Sequence, residues 1–130
     1  MTEMGIRRTL RMGYDEVLAR LPEALRSEGF GVLTEIDVRE TMKKKLGVDF
    51  RRYKILGACN PSLAHQALSA HLGVGVMLPC NVVVYEDDGG GSVVEAIDPT
   101  KTMAGQGDPT LAALAETVRG KLSAVLERIE

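Results

Sequence analysis

The chain is predicted to fold as a single α/β domain over residues 1–130, bordering on α+β, with helices packed on a mixed sheet in the order β-α-β-α-β-α-β-β-α. Three observations predict it. Segments rich in β-formers alternate three times with segments whose apolar residues recur at helical spacing. A glycine-rich turn, Asp88-Gly89-Gly90-Gly91, then separates two alternating runs, which signals a hairpin. Finally, 130 residues suit one domain and are few for two, and a 45% hydrophobic content fills a core without a disulfide or metal staple.

Taken in order, Ile6 to Met12 reads as the first strand. Val17, Leu18, Leu21 and Leu25 mark a helix from Tyr14 to Glu28, closed by Gly29 at the position where a left-handed residue ends a helix. Pro22 removes one backbone bond inside it and predicts a kink or a late start. Phe30 to Ile36 forms the second strand, Val38 to Leu46 a helix stopped by Gly47, and Arg52 to Ala58 the third strand. Asn60-Pro61-Ser62 opens the next helix, with Asn at the N-cap and Pro in the first turn, running to about Leu72. Leu72, Val74, Val76 and Leu78 alternate, so the segment up to Pro79 is predicted to be extended. Asn81–Asp87 and Ser92–Asp98 form the hairpin, paired Asp87 with Ser92, Tyr85 with Val94 and Val83 with Ala96, or one residue off that register. Thr100 to Gly107 reads as a mobile loop over the sheet edge. Asp108-Pro109 then starts a long helix striped by Leu111, Leu114, Ala115, Val118, Leu122, Val125, Leu126 and Ile129.

The composition excludes several function classes. A net charge of −2 lacks the basic footprint of a nucleic-acid binder, and no apolar run approaches the length of a bilayer span. Met1 to Leu10 holds no apolar signal-peptide core, and two cysteines without an export signal read as reduced thiols, so a cytoplasmic protein is expected.

The run Gly29-Phe30-Gly31-Val32-Leu33-Thr34-Glu35-Ile36-Asp37-Val38 is followed by Gly57-Ala58-Cys59-Asn60-Pro61, Leu78-Pro79-Cys80-Asn81 and Asp98-Pro99. In that order these segments resemble DUF302, an uncharacterised prokaryotic family, over nearly the whole chain. The resemblance implies a small stand-alone α/β domain. It brings no activity or catalytic residue to carry over.

The residues themselves suggest one site. The third strand ends at Cys59-Asn60, the hairpin begins at Cys80-Asn81 and closes at Asp98, and all three turns are expected at the same edge of the sheet, where α/β domains place ligands. The leading expectation is a non-catalytic or accessory module binding a small polar or anionic ligand through Asn60, Asn81 and Asp98, because no complete acid–base or nucleophile–base set accompanies them. A second reading makes Cys59 a reactive thiol, activated by the helix that follows it, with Cys80 as resolving partner in a thiol-dependent enzyme or redox protein. The bland counterpart is two buried, inert cysteines. A third reading, soft-metal handling by Cys59, Cys80 and Met77, His65 or His71, suffers from poor spacing. No cofactor is indicated. The apolar Val82-Val83-Val84 run and the last helix suggest a homodimer.

Overall fold

The computed structural model describes residues 4–103 and 107–129. Five strands, β1 (Gly5–Leu10), β2 (Gly31–Asp37), β3 (Tyr53–Cys59), β4 (Cys80–Glu86) and β5 (Ser92–Ile97), form one sheet in the order β1-β5-β4-β3-β2. Between them run α1 (Tyr14–Ser27), α2 (Val38–Leu46) and α3 (Pro61–Ala70), and after β5 the single turn α4 (Pro99–Thr102) and α5 (Pro109–Arg128) close the order. The α/β class and the succession of elements are as the sequence predicts. The sheet, however, is antiparallel at every pairing instead of mixed. The cause lies in the connections. α2 leaves the end of β2 and returns at the same end to β3, and α3 does likewise between β3 and β4 at the opposite end, so each helix is an excursion beyond the sheet and not a crossover between parallel neighbours.

Local chemistry sets most element ends. α1 closes in a Schellman motif: Gly29 N–H donates to the Arg26 carbonyl and Phe30 N–H to that of Leu25, with Gly29 at φ 87°. The helix runs through Pro22 without a break, since Val17, Leu21, Ala24 and Leu25 bury their side chains around it and offset the missing bond. Asp37 caps α2, Asn60 caps α3 and Asp108 caps α5, each side chain accepting a backbone N–H of the first turn.

Two predicted segments differ. Leu72–Met77 is a 3₁₀ turn and not an extended run. Glycines at 73 and 75 weaken a strand there, His71 Nδ1 accepts the Gly73 N–H to start the turn, and of the alternating residues only Val74 is buried. The hairpin pairs Glu86 with Ser92, Val84 with Val94 and Val82 with Ala96, one residue from the first register considered. Asp87 causes the slip: its carboxylate accepts the Gly89 and Gly91 N–H groups, which makes it part of the turn and not of the strand. The Thr100–Gly107 segment is helical to Thr102, and residues 104–106 of the predicted loop lie outside the described residues.

The core lies on one face of the sheet. Leu56, Val82, Val84, Val94 and Ala96 point into it and meet Val17, Leu21 and Leu25 of α1 and Val118, Leu122 and Val125 of α5. A smaller cluster joins Ala67, Val74 and Met103 to Leu111, Leu114 and Ala115. Val82, Val84 and the α5 stripe are thus spent on the core, and of the run first suggested for self-association only Val83 lies outside it. The opposite face carries half-buried Ile55 and Val83 and the stacked rings of Tyr53 and Tyr85, 5.1 Å apart. No helix among the described residues is long and apolar enough to cross a membrane.

Candidate functional site

The antiparallel ladder decides which turns meet. Ala58 pairs with Cys80 and Gly31 with Cys59, so the end of β3 and the starts of β2 and β4 share one edge of the sheet. Paired Cα atoms lie about 4.5–5.5 Å apart, and one further residue adds about 3.8 Å, which keeps Cys59 and Cys80 within about 10 Å of each other. Val82 opposite Ala96 brings Asp98, two residues on, to the same edge.

At that edge lies a cavity of about 300 Å³, at the lower end of the volumes that hold small molecules. Ala58 and Cys80 line it from the sheet, with Phe30 just ahead of β2. α3 supplies Leu63, Ala64, Ala67 and Leu68, while α5 supplies Leu114 and Val118. Leu78 and Pro79 close one side and Met103 another. Exposed Leu33 and half-buried Cys59 and Asn60 stand at the mouth. No charged side chain among the described residues lines it.

The predicted site residues divide. Cys59, Cys80 and Asn60 line the cavity; Asn81 and Asp98 do not. Alternation along β4 turns Asn81 to the sheet face away from the helices, where it is exposed opposite Gly57. Asn60 is occupied by structure: its side-chain oxygen accepts the Leu63 N–H and its amide donates to the Glu28 carbonyl. Asp98 is only 4% exposed. One of its oxygens accepts the Thr100 N–H and hydroxyl, at 3.0 and 2.6 Å, and the other accepts Arg119 Nε at 3.0 Å. Burial opposes its ionisation, but the bonds from Thr100 and Arg119 outweigh burial and hold its pKa below the ordinary 3.8. Asp98 therefore serves the cavity at one remove, by anchoring α4, from which Met103 reaches the lining.

The two thiols differ. Burial, with a smaller contribution from the neighbouring Cys59, pushes Cys80 up to about 11. At pH 8 that leaves about one molecule in a thousand as thiolate. Iodoacetamide at pH 8 is thus expected to label native protein once, at Cys59, with Cys80 modified only after unfolding; labelling of both at equal rates by mass spectrometry would refute this asymmetry. Both cysteines are free. Among the described residues no three His, Cys, Asp or Glu gather as a metal site requires. His71 and Met77 line a separate cleft of about 40 Å³ with Val74 and Leu111.

The sequence reading missed the apolar lining. The closely spaced Leu63, Ala64, Ala67 and Leu68 already marked an apolar face on α3, but helical spacing alone does not distinguish a face packed on core from one facing a void.

Residues 6–129 match a protein family described as Domain of unknown function DUF302. Among solved structures, the chain is similar to the crystal structure of an uncharacterized conserved DUF302 protein from Bacillus stearothermophilus. The two share 35% sequence identity and a TM-score of 0.91 over 99% of this chain and 100% of the other. No curated protein matches.

Proposed function

The chain belongs to the DUF302 family, a domain of unknown function, and we propose that within it this domain binds a small, largely apolar molecule at the end of its sheet, without catalysing a reaction. The observation that carries this reading is the lining itself: a cavity of about 300 Å³ whose polar side chains, among the described residues, are Cys59, Asn60 and Cys80. Asn60 is held as a helix cap and Cys80 stays a protonated thiol, so among the described residues neither an acid–base pair nor a charged recognition group faces the space. A polar or anionic ligand, first suggested by Asn60, Asn81 and Asp98, would lose hydration there with no cation to replace it. Arg119 is engaged by Asp98. An apolar ligand gains about 25 cal/mol for each Å² withdrawn from water.

The test is a thermal-shift series with indole, hexanol and inorganic phosphate. The apolar probes are expected to raise the melting temperature, by the equivalent of about 2.7 kcal/mol at one hundred times Kd. Ala64→Leu, which extends a side chain into the void, is expected to abolish that shift while leaving the fold intact by circular dichroism. No shift with either apolar probe, or an unchanged shift in Ala64→Leu, would sink the reading. A shift with phosphate alone would return it to an anion.

A further inference from the structure

We infer that the cavity takes an uncharged, apolar α,β-unsaturated carbonyl compound and that Cys59 adds to it covalently, once per chain. The inference rests on the reading of the cavity as an apolar binding site and adds the chemical class of what enters. The chain has two cysteines, distant in sequence, and both line this one space. Ala58 pairs with Cys80, so Cys59 is the next residue along β3 at the same end of the ladder. The thiols are close enough that a charge on Cys59 is felt at Cys80. They stand differently. Cys59 is half-buried at the mouth, where a dissolved molecule reaches it. Cys80 is 8% exposed, and its thiol has no hydrogen-bond partner among the described residues. A buried polar group left without a partner asks for an explanation. The Cys80 S–H is a weak donor, kept protonated by burial, and a carbonyl oxygen seated in the cavity would accept from it.

The lining selects the chemistry. Acyl transfer leans on a base held beside the nucleophile, and among the described residues the cavity has none. Conjugate addition by a thiolate needs no such base. A charged electrophile would lose hydration against Leu63, Ala64, Ala67 and Leu114 with nothing to replace it, whereas an apolar one is drawn in. In the step itself Cys59 gives its proton to water, and its sulfur bonds to the β-carbon. The carbon–carbon π pair moves onto the α-carbon and carbonyl oxygen, and a proton from water ends on the α-carbon. Nothing is oxidised or reduced and no group leaves. The product is a thioether whose apolar chain lies in the cavity. Holding the electrophile beside the sulfur makes the encounter effectively unimolecular, so the rate depends on how well the chain fits.

The experiment compares N-hexylmaleimide with N-carboxymethylmaleimide, which share one conjugated carbonyl group and differ in an apolar against a charged tail. Rates are followed on the full chain by intact mass, with N-acetylcysteine as the reference thiol. The hexyl-to-carboxymethyl rate ratio is expected to be at least about tenfold higher on the protein than on the reference. Peptide mapping should place a single adduct at Cys59. Hexanol in excess should slow the hexyl probe alone, and Ala64→Leu should return the ratio to that of the reference. Cys59→Ser should take up neither probe in the native state yet keep its thermal shift with indole and hexanol. A ratio equal to the reference, or a first adduct at Cys80, overturns the inference. If that happens while indole and hexanol still raise the melting temperature, the cavity remains a binding site and only the covalent step is lost; if the shifts are absent too, both readings fall.

Discussion

Replacing Asp98 by alanine is expected to destabilise the protein by about 3 kcal/mol, the sum of a lost helix cap and of hydrogen bonds to a buried charge. The carboxylate takes two bonds from Thr100 and one from Arg119. The Arg119 side chain is half exposed and can turn to water, so the loss falls on α4 and on Met103 behind it. Asp98→Asn separates charge from shape, since an amide can still accept from Thr100 but answers Arg119 poorly. The sign with pH follows from the lowered pKa. A carboxyl lowered in the folded state contributes stability that is fully present above its unfolded pKa and disappears as pH falls through the folded value, below 3.8. The gap between native protein and Asp98→Asn in urea melts should therefore be full at pH 7 and shrink as the pH drops from about 5 toward 2. A gap that does not vary with pH would show that Asp98 acts through shape alone.

Leu122→Ala should cost about as much, roughly 3 kcal/mol, by leaving a void among α1, α5 and the sheet. Leu122 is fully buried in the main cluster, beside Val118 and Val125. The control is Leu72→Ala: this leucine is 86% exposed and should shift stability by no more than about 0.5 kcal/mol. Urea denaturation of both variants decides the matter. Comparable losses, or a loss below about 1 kcal/mol at Leu122, would mean that the core is not where the structure puts it.

That pair of leucines also shows how far the amino-acid order could be read. Leu122 belongs to a stripe maintained over five turns of α5, and such a pattern has one interpretation. Leu72 belongs to a four-residue alternation that a glycine-broken 3₁₀ turn imitates. The ends of elements were legible wherever a cap residue has a single job, as at Gly29, Gly47, Asn60-Pro61 and Asp108-Pro109. Strand direction was not, because a helix of nine or ten residues between strands fits an excursion as well as a crossover. Asp87 shows the same limit at finer scale: its identity suits a strand end or a turn, and only the bonds to Gly89 and Gly91 choose. At the candidate site, the meeting of Cys59 and Cys80 could be inferred from their places at the ends of β3 and β4. The roles of Asn60 and Asp98 could not, since a residue that caps a helix and one that greets a ligand have the same chemistry until a partner is seen.

The two excursions leave the ladder at opposite ends, α2 beyond Asp37 and α3 beyond Cys59, with the register of β2, β3 and β4 held between them by main-chain bonds and by cross-strand contacts such as the stacked Tyr53 and Tyr85. Each insert can accordingly be rewritten, lengthened or exchanged without altering the other. For design this makes the sheet a two-ended chassis: the cavity can be recut at one end while the α2 insert is varied at the other.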